Sequence, residues 1–210
     1  MARPRATRAI ENAVRRWGFC LVAGVDEVGR GCLAGPVLAA AVVLDPGRPV
    51  RGLKDSKLLS AAARARLYDD IVCRATAWAT ALVEPADIDV LNIHRASLKA
   101  MREAVATLTP LPDFVLVDGF LIPDLPMAQR AIVGGDRRSA AIAAASIVAK
   151  VTRDRLMDEL HARDPRYGFD RHKGYATAEH VSAVAQFGCS AAHRRSFRQP
   201  TLFDTIGTIG

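Results

Sequence analysis

Long hydrophobic runs are scarce in this 210-residue chain. The longest, Leu33 to Leu44, falls short of the roughly 20 residues needed to cross a bilayer, and Gly35 and Pro36 interrupt it. No membrane span is expected. The first residues, MARPRATRAIENAVRRWG, carry five arginines (Arg3, Arg5, Arg8, Arg15 and Arg16) but lack the apolar centre of a secretory signal. They read as a basic arm or a solvated first helix. Cysteine is also sparse. Cys20, Cys32, Cys73 and Cys189 form no C-x-x-C pair and have no ligand-like spacing to histidine, which argues against a zinc site and a disulfide framework. A reducing, cytoplasmic setting is expected. Acidic residues are in deficit, 22 against 29 Lys and Arg, for a formal charge of +7. That balance suits a polyanionic partner, with nucleic acid first, although charge by itself speaks only to non-specific attraction. The chain has no internal repeat or low-complexity block.

What is present is the material of one sizeable core. Residues 19–26 and 36–44 are β-compatible apolar runs joined by a glycine-rich connection, which predicts a hairpin. Ser60 is placed to cap one amphipathic helix and Asn92 a second, which Pro110 and Pro112 end. The segment 76–84 alternates like a strand, and 113–119 is a short apolar run closing on an acid. Residues 137–163 read as one long helix, followed by a basic loop, a last helix and a polar tail. The predicted fold class is α/β: a mixed β-sheet flanked by helices, with a C-terminal helical segment.

Asp26 and Glu27 stand side by side at the end of the first apolar run, just before Gly29-Arg30-Gly31. Asp118 ends the run FVLVD, and Asp136 lies in GGDRRS ahead of the long helix. Two carboxylates about 4 Å apart repel by roughly 4 kcal/mol at an effective dielectric near 20, so a site that gathers them protonates one or binds a cation. Hard oxygen ligands suit Mg²⁺ or Mn²⁺. Strict alternation would send Asp26 and Glu27 to opposite faces, so the strand is expected to end or twist there, with the glycines supplying the freedom. Each acid also has an ordinary reading: Asp136 as a helix cap, Asp118 as a turn residue. Spacing alone does not show that the four converge.

These residues carry a resemblance. GVDEVGRGCLAGPVLAAAVVL, LKDSKLLS, VLVDG, GGDRRSAAIAAASIVAKVTRD, GFDRHKGYAT and HRRSF resemble, in order, the successive blocks of the type 2 ribonucleases H, specifically bacterial ribonuclease HII. The resemblance implies an RNase H-like fold over residues 18–197, with 1–17 as a basic arm and 198–210 as a tail. It implies that Asp26, Glu27, Asp118 and Asp136 are the catalytic acids and hold Mn²⁺ or Mg²⁺ in a two-metal site. The reaction implied is hydrolysis of the phosphodiester 5′ to a ribonucleotide, in RNA/DNA hybrids or embedded in duplex DNA, leaving 3′-hydroxyl and 5′-phosphate ends. Gly29, Arg30, Gly31 and Tyr175 would read the sugar carrying the 2′-hydroxyl.

Lys57, Lys150 and Arg153, and Arg171, His172 and Lys173 ahead of Tyr175, are expected phosphate contacts; Ser146 shares the helical face of Lys150 and Arg153 by its spacing. Arg194 and Arg195 are left open. The tail holds QPTLF, similar to the Q-x-x-L-F peptide that docks on bacterial sliding clamps, which makes Gln199, Leu202 and Phe203 a candidate clamp contact. A monomer is expected. Only about 17 residues precede the first strand, which favours ribonuclease HII over ribonuclease HIII with its extra N-terminal domain. The rival from another class is a non-catalytic nucleic-acid-binding protein on the same scaffold, which would usually have lost an acid. A phosphate-loop nucleotidase is disfavoured because GRGCLAG lacks the G-K-[ST] ending.

Overall fold

Eight consecutive apolar residues, Val37–Leu44, offer solvent no polar face, so a strand built from them needs a covering layer on each side. In the computed structural model, which describes residues 6–197, this segment is strand β2 and is buried along its whole length. β1 (Val22–Val28) pairs antiparallel with it, as the two apolar runs predicted. β3 (Ala75–Val83) lies antiparallel on the outer side of β2, while β4 (Phe114–Asp118) and β5 (Ala128–Ile132) add in parallel beyond β1. The sheet order is β3-β2-β1-β4-β5.

The helices are α1 (Ala9–Arg16), α2 (Ala61–Arg74), α3 (Pro85–Leu91), α4 (Ile93–Ala106), α5 (Ala140–Arg163), α6 (Phe169–His172) and α7 (Ala178–Phe187). Both expected caps form: Ser60 accepts from the Ala63 amide at 3.3 Å and Asn92 from the Arg95 amide at 3.1 Å. α4 covers one face of the sheet, setting Ala96, Ala100, Met101 and Val105 against Ala39, Ala41 and Val43. α2 and α5 cover the other, where Ala140–Ala149 is buried on every side and meets Leu38, Ala40 and Val42. Ala34, Met157, Tyr167, Phe169 and Val184 form a separate small core under the C-terminal lobe. None of the described helices is long and apolar enough to cross a membrane.

Two features of the α5 entry differ from the sequence reading. The helix begins at Ala140, because Gly135–Arg137 form a tighter 3₁₀ turn. Its cap is Ser139, which accepts from the Ile142 amide at 3.2 Å, so Asp136 is not the cap. The N-terminal segment, read as an arm or solvated helix, contains the docked α1. Val14 packs with Val22, Phe114 and Leu116. The buried Glu11 carboxylate accepts from Ser139 Oγ and from the Ala141 amide, both at 2.7 Å. A carboxylate there satisfies a donor that α5 itself leaves over and faces the positive end of its dipole.

Candidate active site

Parallel pairing brings the first two acids together. Val25 is in register with Val117, and the β1–β4 pairing stops there. Asp26 and Asp118 are therefore the next residues on neighbouring strands and leave the sheet on the same face. β1 continues to Val28, but only against β2, with Glu27 opposite Ala39. The strand thus neither ends nor turns at Asp26. It loses its neighbour on one side, and the gap opens a cleft beyond the carboxyl ends of β1 and β4, the usual ligand position in sheets with parallel strands. Asp136 arrives from the turn after β5, tied down by the Gly135 amide, which donates to Asp118 Oδ1 at 2.7 Å. A Cβ on Gly135 would stand 2.5 Å from Ile142 Cδ1 and 3.2 Å from Asp118 Oδ1, so a side chain there would have to displace the tip of Ile142.

The cleft, about 280 Å³, is lined by all four acids, by Val28–Gly31, and by Ser56, Lys57, Ser146, Lys150 and Tyr175. Burial raises the pKa of every acid in it. Asp26, 7% exposed, is pushed well above the ordinary carboxylate range by burial, then by Glu27 and Asp118. Glu27 is raised by burial against the pull of Arg30, whose Nη1 sits 3.1 Å from Glu27 Oε1. Asp118 is raised by burial, opposed by the Gly135 amide, and Asp136 by burial, Asp55 and Asp118.

This is the signature of a site short of positive charge, and the buried Glu27 Oε2 has no hydrogen-bond partner. A hard divalent cation suits that donor set. Among the described residues, however, no three His, Cys, Asp or Glu side chains already stand in a metal-holding group. The acids share a cleft without forming a closed cage.

Of the predicted site residues, the four acids, Gly29, Arg30, Gly31, Lys57, Ser146, Lys150 and Tyr175 line this cleft, whereas Arg153, Arg171, His172 and Lys173 do not. Arg153 was expected to contact phosphate, and the structure corrects that expectation. It is fully buried, with Nε donating to Pro36 O at 2.9 Å, Nη1 to Lys173 O at 2.9 Å and Nη2 to Ala34 O at 3.1 Å. Its fork is fully engaged by main-chain carbonyls below the Gly29–Gly31 turn. A Cβ on Gly29 would meet Arg153 Nε at 2.2 Å, so the glycine makes room for this brace. Arg153→Met is expected to cost about 2 kcal/mol by leaving buried carbonyls unpaired, read as a lower urea midpoint at unchanged m.

His172 is corrected likewise, being buried with Nε2 2.7 Å from Tyr167 O. Arg171 pairs with Glu179 and Lys173 with Asp158. Arg194, left open from sequence, is a second buried brace: Nε and Nη2 donate to Gly35 O and Nη1 to Arg30 O. Sequence reasoning also passed over Asp55. Buried beside the cleft, it accepts from the Lys57 amide at 2.9 Å and from Arg137 Nε at 3.2 Å, fixing the loop that presents Lys57. Its neighbour Ser56 lies 3.0 Å from the Ser146 hydroxyl. The polar run Lys54–Lys57 between two apolar segments was the available signal.

A family model described as Ribonuclease HII matches residues 23–200. Ribonuclease HII of Vibrio cholerae is 53% identical over 180 residues, which cover 86% of this chain and 87% of that protein. Among solved structures, ribonuclease H2 from Pyrococcus horikoshii superposes with a TM-score of 0.74 at 25% identity, covering 89% of this chain and 98% of that one. The PCNA:RNase HII complex from Archaeoglobus fulgidus gives 0.73 at 26%, covering 86% and 96%. With the family model spanning most of its length and a relative this similar, the chain belongs to the ribonuclease HII family of enzymes.

Proposed function

We propose that this protein hydrolyses the phosphodiester on the 5′ side of a ribonucleotide, in RNA/DNA hybrids and at ribonucleotides embedded in duplex DNA. The observation that carries the reading is the register of Asp26 beside Asp118, with Glu27 and Asp136 in the same cleft. Mg²⁺ or Mn²⁺, held by these four acids, would supply activation of the attacking water and stabilisation of the leaving oxygen.

The remaining work belongs to the chain's own groups. Arg30, Lys57 and Lys150 ring the acids with positive charge and steer a phosphate toward them. The Ser146 hydroxyl, in the cleft beside Asp26, favours the anionic form of that carboxylate. A Cβ on Gly31 would meet nothing within 4 Å, so the fold does not demand glycine there. A bare backbone at that point leaves space for a ribose to reach main-chain polar groups, and the 2′-hydroxyl is the handle that separates RNA from DNA. Tyr175, 41% exposed and bridged to Cys32 next to the turn, offers its ring to the neighbouring sugar.

The test is cleavage of a duplex with one ribonucleotide, beside an all-DNA duplex, with Mg²⁺, Mn²⁺ or chelator. Metal-dependent cutting 5′ to the ribonucleotide supports the reading, and failure of a folded protein that still binds the duplex favours a binding module instead. Lys150 is held by Asp154 at 2.6 Å until phosphate competes for it. Lys150→Ala is expected to lower the slope of log K against log salt by about one unit on any sequence. An unchanged slope would place Lys150 outside the footprint.

Gln199, Leu202 and Phe203, the candidate clamp contacts, lie outside the described residues. The archaeal relative solved as a PCNA complex makes a clamp a sensible partner to test. Leu202→Ala with Phe203→Ala is expected to weaken clamp binding at least about tenfold, by removing two apolar anchors. Equal binding by the double variant would end that proposal.

A further inference from the structure

Three histidines, His172, His180 and His193, are buried together in the C-terminal lobe, and the catalytic reading uses none of them. Their hydrogen bonds fix where each proton sits. The Ser190 amide lies 3.0 Å from His193 Nδ1, and an N–H can only donate, so Nδ1 is the bare nitrogen. The His193 proton is then on Nε2, 3.1 Å from His180 Nε2. That nitrogen must accept, which puts the His180 proton on Nδ1, 2.9 Å from the carbonyl oxygen of Tyr175. Burial keeps both rings neutral, pushing His193 down to about 4 and His180 in the same direction. His172 stacks on His180 with ring centroids 4.3 Å apart and accepts from the Gly174 amide, so it packs beside the relay without joining it.

The relay therefore has one direction, from the Ser190 amide to the main chain of Tyr175. Tyr175, tied locally by its amide donating to His172 O at 3.0 Å and its carbonyl accepting from the Thr177 amide at 2.8 Å, gains through His180 a link to the buried lobe. It follows Lys173 and Gly174, both at positive φ, and its own ring is half out in the cleft. Arg194, the next residue after His193, holds the carbonyls of Arg30 and Gly35, so one short segment reaches both the turn and the tyrosine.

We propose that His180 and His193 are positioning residues, a neutral two-ring relay that fixes the Tyr175 peptide and so sets where its ring meets the sugar beside the scissile bond. This rests on the reading of Tyr175 as a sugar contact. Misplacing a positioning group by about 1 Å can cost on the order of 10²-fold in rate.

The first measurement is the long-range ¹H–¹⁵N spectrum of the unsubstituted protein, which distinguishes imidazole tautomers. His180 is expected as Nδ1–H and His193 as Nε2–H; His180 as Nε2–H, or either ring protonated at pH 7, overturns the proposal. The second compares His180→Asn, whose amide N–H can reach the Tyr175 carbonyl as Nδ1–H does, with His180→Gln, whose amide sits nearer the Nε2 position. His180→Gln is expected to lose about 10-fold or more in kcat on the single-ribonucleotide duplex with little change in KM, and His180→Asn to recover most of it. Equal rates in the two folded variants overturn the proposal. If both variants unfold, the tautomer spectrum decides alone. An unsubstituted protein that cuts nothing overturns the functional reading and this one with it, whereas one that cuts, with His180→Gln cutting equally fast, overturns this inference alone.

Discussion

Asp26→Asn is expected to cut a single-ribonucleotide duplex at least about 10³-fold more slowly than the parent chain while unfolding at a higher temperature. The loss follows from the place of Asp26 in the cleft, on the strand pair that opens it and beside the other acids. An amide keeps the shape but not the charge that, on the proposed reading, would hold a cation. Losing the several kcal/mol that metal coordination lends a phosphoryl transition state corresponds to about three powers of ten.

The stability gain has the same origin. Burial, Glu27 and Asp118 all disfavour the Asp26 anion. The folded state therefore holds the Asp26 proton to a higher pH than the unfolded chain does. Without divalent cation, the parent's stability contribution from this group falls as pH rises from about 4, the unfolded carboxyl value, up to the raised folded value. Asparagine removes that decline. A gain of about 1 kcal/mol at neutral pH, or about 2–4 °C in Tm, is the expected size. Thermal melts in chelator at pH 5 and 8 check it: a variant no more stable than the parent at pH 8 contradicts the electrostatic account, and one that still cuts contradicts the assignment of Asp26.

Gly24→Ala is expected to destabilise the protein by about 4 kcal/mol, more than most overpacking substitutions. A Cβ on Gly24 would stand 2.1 Å from the Ala141 carbonyl carbon and 2.3 Å from the Ile142 nitrogen. Both obstacles are backbone, so no rotamer change relieves them. Either α5 lifts off β1 or the strand buckles, and both movements disturb Asp26, two residues along, and the Ser139 entry to α5. A drop of about 10 °C in Tm is expected. A Gly24→Ala protein within about 1 kcal/mol of the parent in urea would show that β1 and α5 do not approach this closely.

The sheet was legible because its strands are coded locally. β2 reads as a fully covered strand from eight apolar residues, and Ser60 and Asn92 announce their helices by their own hydrogen-bonding chemistry. The acids were legible as candidates because adjacent carboxylates at the end of a buried run have few ordinary uses. Arg153 shows the limit. On a helical wheel it shares a stripe with Ser146 and Lys150, and nothing local separates a guanidinium bound for phosphate from one buried under a turn. The carbonyls that hold it come from residues 34, 36 and 173, far away along the chain. His172 was misjudged on the same ground, and the docking of α1 through Glu11 and Val14 was not foreseen, since their partners are non-local.

Sequence alone determined most element types, though not the short helix α3, together with the mixed α/β class, the candidate acids and the family resemblance, because propensity, capping and hydrophobic period act over a few residues. Only the tertiary structure decided that Val25 aligns with Val117, so that Asp26 and Asp118 leave neighbouring strands side by side. It also decided which arginines brace the turn and which basic groups face the cleft. Register and burial depend on contacts between distant segments, and a charged side chain carries no local mark of whether it will find water, phosphate or a buried carbonyl.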